Sequence, residues 1–303
     1  MIRASAPGSI MITGEHAVVY GHSAIVAAID QRITVELLPQ PGPEIDIASD
    51  IAPPLFARLD ALPHGGPYRF VLAAIAGFAA DLPGGVSLRI RSEIDPTLGL
   101  GSSAAVTIAT LGALARYADH TPDDLHTRAL GIIRALQGRG SGADLASSLT
   151  GGMISYRAPE AGGPAAKITA LPAPPPLSLR YAGYKTPTAD VLALVAARME
   201  AEPERYRALY AQMGAAAETA IAAATAQDWP ALAASLQRYQ TYMEALGVCD
   251  ETLGALIRGA IAHPGTIAAK ISGSGLGDCV VALGQTPPGF APAPLAKEGL
   301  RVD

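Results

Sequence analysis

The sequence predicts a mixed α/β chain, and three observations point to it. Strand and helix signals alternate through the first half. A stretch dense in proline and glycine breaks the chain near its middle. A strand, a run of helices and two closing strands follow that break. A length of 303 residues suits one large or two modest domains. The break at 158–176 divides the chain into expected parts of residues 1–160 and 161–303, since Pro159, Gly162, Gly163, Pro164, Pro172 and Pro174 to Pro176 resist regular structure.

In the first part, Ile10 to Thr13 and Ile33 to Leu38 are rich in β-branched residues and read as strands. Tyr68 to Ala80 carries apolar residues at helical spacing, and Val86 to Ile90 alternates as a half-buried strand does. Ala104 to Tyr117 is a helix of small apolar residues. Thr121-Pro122-Asp123-Asp124 reads as a capped start for a helix reaching about Leu136. In the second part, Leu177 to Tyr181 reads as a strand. Helices are expected over 188–201, 204–227, 230–246 and 251–262, and strands over 267–271 and 278–283.

Half of the residues are hydrophobic, 16% are charged and the formal net charge is -5. That composition builds a core and excludes a disordered chain. No basic run is long enough to follow a nucleic-acid backbone, and an aromatic fraction of 5% offers few stacking platforms, so no nucleic-acid partner is expected. No stretch reads as a signal peptide or a membrane span, and the only cysteines, Cys249 and Cys279, fit a reducing cytoplasm. The six histidines are scattered, which gives no zinc site.

Three segments carry chemistry. Asp95 to Ala105 is rich in glycine, so several backbone N–H groups can converge on an anion, and the helix that follows adds the positive end of its dipole. Ser102 and Ser103 add hydroxyls; the Gly-Lys-Ser/Thr ending of a Walker loop is absent. Ala6 to Gly21 places the polar pair Glu15-His16 between apolar runs, where polar groups must be satisfied or used. Lys270 to Cys279 is a second glycine-rich turn, with more glycine than a hairpin needs.

In this order and at these separations, from Ala6 to Leu283, the segments resemble the motifs of the GHMP kinases, the family of galactokinase and the homoserine, mevalonate and phosphomevalonate kinases. The resemblance implies a ribosomal-protein-like α/β domain holding the nucleotide loop, a ferredoxin-like C-terminal domain, and an active site in the cleft between them. It implies ATP and Mg2+ as cofactors, a small-molecule acceptor, and a monomer or homodimer. By the same resemblance Pro96, Gly99, Leu100, Gly101, Ser102, Ser103 and Ala104 contact ATP, with Ser103 also on the metal. Glu15, His16, Ser141, Gly142, Ser272, Gly273, Ser274 and Gly275 contact the acceptor, and Tyr20 contacts nucleotide or the domain floor.

Gly14 to Gly21 looks most like mevalonate kinase, whereas Gln137 to Ala146 and Gly183 to Thr188 look like phosphomevalonate kinase. Two positions depart from mevalonate kinases: Ser9 stands where many members carry a lysine, and Ile133 where they carry a magnesium-holding glutamate. A phosphate monoester is already largely ionised at neutral pH and needs cations and alignment more than a base. The resulting expectation is a phosphomevalonate kinase with Asp144 as the catalytic carboxylate, and Lys185, in the loop before a helix, and Arg139 as the cations on the acceptor. A mevalonate kinase and a non-catalytic binding protein are the alternatives. Arg32 and Arg69 read as solvated surface charges.

Overall fold

Small side chains at the start of the chain let a helix lie directly on the first two strands. In the computed structural model, which describes residues 1–95, 98–119, 124–159 and 165–303, β1 (Ile2–Thr13) and β2 (Ala24–Pro39) form a long antiparallel pair. Both outrun the strands expected from β-branched residues. Ala4, Ala6, Ala24, Ala27 and Ala28 are fully buried and extend the pair; strand propensity does not flag alanine, and burial overrides it. Beyond Ile33, β2 pairs with β5 (Val86–Ser92), which runs parallel to β3 (Glu44–Ser49), and β4 (Leu55–Arg58) closes that edge. The early part of β2 pairs with β6 (Met153–Arg157), and β6 with β7 (Lys167–Leu171). Thus part of the expected connector is a strand of the first sheet.

Four helices cover this sheet. α2 (Ser102–Tyr117) lies across β1 and β2, flanked by α1 (Arg69–Phe78) and α3 (Leu125–Gln137), and α4 (Ala143–Thr150) packs on β1. The second sheet is antiparallel, in the order β11 (Ala291–Pro292), β8 (Leu177–Lys185), β10 (Gly277–Gly284), β9 (Thr266–Ser272). With it go α5 (Thr188–Ala201), α6 (Pro203–Thr225), α7 (Trp229–Ala245) and α8 (Glu251–Ile261); α7 and α8 lie on β9. The chain then returns to the first sheet, where β12 (Arg301–Val302) pairs with β1. The result is the expected two-part α/β architecture. The expected helix start at Thr121 to Asp123, the glycines at 162 and 163 and the division after residue 160 lie outside the described residues. Among the described residues no helix is long and apolar enough to cross a membrane.

Arg32 is not a solvated charge. Its guanidinium is buried and donates to Ser5 Oγ and O and to the carbonyls of Glu298 and Gly299, fastening the C-terminal segment to β1 and β2.

The two parts meet at the Glu15-His16 pair that follows β1. Lys270, on β9 and fully buried, donates to Glu15 Oε1 at 2.5 Å and to the carbonyl of Ile271, and its ammonium faces the ring of Tyr239. Tyr239 on α7 donates its hydroxyl to the Glu15 carbonyl at 2.7 Å, and His16 Nε2 lies 2.8 Å from the Ser274 carbonyl. His16 takes a positive φ of 58°, a backbone conformation that only a tightly determined environment holds on a non-glycine residue.

Breaking a buried ion pair from one side strands the other charge. Lys270→Met should therefore destabilise the protein by about 3–5 kcal/mol, read from the urea midpoint, whereas Lys270→Met combined with Glu15→Leu should recover a large part of that loss. Burial also holds the His16 imidazole below its ordinary pKa, so it is neutral when folded. The unfolded chain takes up that proton below about pH 6.5. Stability should accordingly be complete above that pH and fall as the pH drops below it. His16→Asn should flatten this acid slope in melting experiments from pH 7 to pH 5.

Candidate active site

The turn 98–101 that leads into α2 is fixed by contact with β1. Ser9 N donates to the Leu100 carbonyl at 3.1 Å. Gly99 and Gly101 both sit at φ +70, and a Cβ on Gly101 would lie 2.2 Å from Ser9 Oγ, so only glycine fits. Leu100 and Ala104 are buried and anchor the turn. Ser102 and Ser103, the first residues of α2, line a cavity of about 280 Å³. Ile51, Tyr68, Phe70 and Val106 give it an apolar wall, and Arg69 lines it while stacking on Phe70 at 4.6 Å. A helix N-terminus beside an apolar slot suits an anion joined to a flat ring. Pro96 lies outside the described residues.

Asp144 sits in the first turn of α4, and Ser9 Oγ donates to its Oδ1 at 2.9 Å. The turn beneath it is held from below: Tyr156 donates its hydroxyl to the Ser141 carbonyl at 2.5 Å, His126 Nε2 lies 3.0 Å from the Gly142 carbonyl, and Ala143 N donates to Ser141 Oγ. Desolvation holds the Asp144 carboxyl above the usual carboxylate pKa; the Ser9 hydrogen bond and the Lys185 charge act the other way, and the Glu15 charge adds to the rise. Ile133, one of the departures noted in the sequence, packs against the loop that leads to Asp144. A Cβ on Gly140 would lie 2.7 Å from Cγ2 of Ile133, so the apolar Ile133 and the glycine above it fit together.

From the second part, Lys185 is the last residue of β8 rather than part of the loop that follows, and its Nζ lies 3.2 Å from Asp278 Oδ1. Ser272 ends β9, and Gly273, Ser274 and Gly275 lie in the turn to β10, where Ser274 Oγ donates to Asp278 Oδ2 at 3.4 Å. A Cβ on Gly99 would lie 2.7 Å from Asp278 Oδ1 and 3.1 Å from Lys185 Nζ, which places this pair directly on the glycine-rich turn.

The structure therefore brings together Ser9, the turn 98–103, Asp144, Lys185 and the turn 272–275. Arg139 is exposed in the loop between α3 and α4 and is not among the groups this network joins. Glu15 and His16 are buried in the junction between the two parts, each with one side-chain atom, Oε2 and Nδ1, lacking a hydrogen-bond partner. Tyr20 stacks on Tyr210 of α6 with ring centroids 4.5 Å apart. Sequence reasoning missed Asp278, Lys270 and the apolar cavity. Asp278 and Lys270 flank the second glycine-rich turn, which was the available signal; the cavity is assembled from distant segments and left none.

Among the described residues no three acidic, histidine or cysteine side chains gather around a metal position. Magnesium nevertheless keeps several waters and is commonly held by one or two carboxylates together with substrate phosphates. Ser9 touches both Gly101 and Asp144, so a carboxylate stands beside the helix N-terminus, and Asp144 with the Ser103 hydroxyl fits such a donor set.

Family models match the chain twice, as the GHMP kinases N terminal domain over residues 69–152 and as GHMP kinases C terminal over residues 220–291. A mevalonate kinase of Pyrococcus abyssi is 32% identical, the match covering 93% of this chain and 88% of the relative. The Lin0012 protein of Listeria innocua superposes with a TM-score of 0.88 at 24% identity, over 100% of this chain and 99% of that one. The phosphomevalonate kinase of Streptococcus pneumoniae, solved with phosphomevalonate and AMPPNP, superposes with a TM-score of 0.80 at 16% identity, over 98% and 100%. With both halves matched in order and a relative above 30% identity along almost its whole length, the chain belongs to the GHMP kinase family.

Proposed function

We propose that this kinase transfers the terminal phosphoryl group of ATP to the hydroxyl of mevalonate. The observation that carries the reading is the Asp144 carboxyl, half-buried, hydrogen-bonded by Ser9 and standing beside the N-terminus of α2. An alcohol is a weak nucleophile near neutral pH and gains from a base placed to take its proton. Asp144 is that base. The N–H groups of α2, with Gly99, Gly101, Ser102 and Ser103, hold the phosphates and stabilise the charge that spreads over the moving phosphoryl oxygens. The apolar cavity beside Ser102 takes the nucleotide base. Magnesium, when bound by Ser103, Asp144 and phosphate oxygens, supplies charge neutralisation.

Relatives named mevalonate kinase support this acceptor, and so does the charge inventory of the cleft. Lys270 is committed to Glu15 and Lys185 to Asp278, while Arg139 lies exposed in its loop. Lys185 stands at the phosphate-binding turn, so a second phosphate dianion would have to share it with the ATP phosphates it approaches. The relatives named mevalonate kinase thus favour the alcohol over the phosphate acceptor expected from the sequence. Phosphomevalonate is the second reading, favoured by the residues from Gln137 to Ala146.

A coupled assay of ADP release with mevalonate, phosphomevalonate and homoserine tests the acceptor. Turnover with mevalonate is expected; turnover confined to phosphomevalonate would reverse the assignment, and nucleotide binding without turnover of any would mark a binding protein. Asp144→Asn should lower kcat by ~10²–10⁴-fold while leaving nucleotide affinity nearly intact. Because the Ser9 hydrogen bond favours the ionised form of Asp144, Ser9→Ala should move the acid limb of the kcat/KM profile to higher pH.

A further inference from the structure

We propose that Asp278 is a positioning residue that holds the Lys185 ammonium over the phosphate-binding turn, supplying from the C-terminal part the cation that Ser9 does not provide. This inference rests on the kinase reading above. Lys185 and Asp278 are delivered by one irregularity of the second sheet. Gly277 opposes Lys185, the pairing then jumps to Cys279 opposite Tyr181, and Asp278 is thrown out of the ladder. Asp278 takes a positive φ of 64°, a conformation Asp adopts more readily than most residues. Its carboxylate is nearly buried, with the side chain 6% exposed, while that of Lys185 is 33% exposed.

The seat of the pair is the phosphate turn itself. A side chain at Gly99 would collide with both Oδ1 of Asp278 and Nζ of Lys185. Asp278 is braced on its other side by Ser274 Oγ, and its neighbour Cys279 donates from Sγ to the Leu98 carbonyl at 3.3 Å. Lys185 also lies close enough to Asp144 to act on its ionisation. A bare carboxylate at this place would repel a triphosphate, so a structure that keeps one there needs the ammonium beside it. Held in this way, the ammonium stands ready between the phosphate turn and Asp144, and an arriving phosphate oxygen can share it or draw it away from Asp278.

The test is a double-mutant cycle with Asp278→Asn and Lys185→Ala. Asparagine keeps the size and tolerates the backbone conformation of Asp278, so the melting temperature should hold within a few degrees. Asp278→Asn should lower kcat about tenfold or more in the wild-type background, with acceptor KM little changed, and less than twofold in the Lys185→Ala background. An equal loss in both backgrounds would overturn the proposal. A second measurement needs no turnover: acylation of Lys185 by an amine-reactive ester, followed by mass spectrometry of the nucleotide-free protein. Asp278→Asn should speed that acylation several-fold relative to exposed Lys167, and an unchanged rate would refute the latch whichever acceptor the enzyme takes. Should Asp278→Asn fail to fold, Ser274→Ala, which removes the brace on Oδ2, should produce the same acceleration in smaller measure, and no acceleration there would refute it equally.

Discussion

The buried ion pair between Glu15 and Lys270 is the constraint on which the rest of the molecule depends. It joins the end of the first strand to a strand of the second sheet, in a place with no water to screen either charge. Such a pair adds little net stability over a well-packed apolar one, but it tolerates few geometries. The Tyr239 hydroxyl on the Glu15 carbonyl and the His16 ring on the Ser274 carbonyl restrict them further. The register of the two parts is thereby set at a point adjoining the cleft, and Lys185, Asp278 and the turn 272–275 are carried to the face of the phosphate-binding turn.

The cleft is also economical in charge. Near Asp144 the structure places Lys185, itself paired with Asp278, and a helix N-terminus whose positive end is unmatched. That balance suits a site that must accept a triphosphate without a standing excess of cations to trap the products. It also recasts Ser9 and Ile133. Ser9 is not merely a lost lysine, because its hydroxyl orients Asp144 and its backbone fixes the phosphate turn. Ile133 is not merely a lost metal ligand, because it packs beneath Gly140 and belongs with that glycine.

Much of the helical framework could be read from the chain. The helices from Thr188 onward and α2 fall where apolar spacing and caps put them. β3, β4, β6 and β7 were not read, because each is short and owes its pairing to neighbours distant in sequence. The same holds for Arg32, whose partners at Glu298 and Gly299 lie at the other end of the chain.

The sequence by itself determined that the chain carries three glycine- and serine-bearing turns with the order and spacing of a phosphoryl-transfer enzyme. Backbone freedom at glycine and the local start of a helix are short-range properties, and they are written in neighbouring residues. What only the tertiary structure decided is which charges remain available in the cleft. Lys185 is at once 93 residues from Asp278 in the chain and 3.2 Å from it in space, and Lys270 is buried where its position on a strand gave no sign of it. Electrostatic pairing depends on distance through the fold and on exclusion of water, and neither quantity exists until the two parts of the chain have closed on one another.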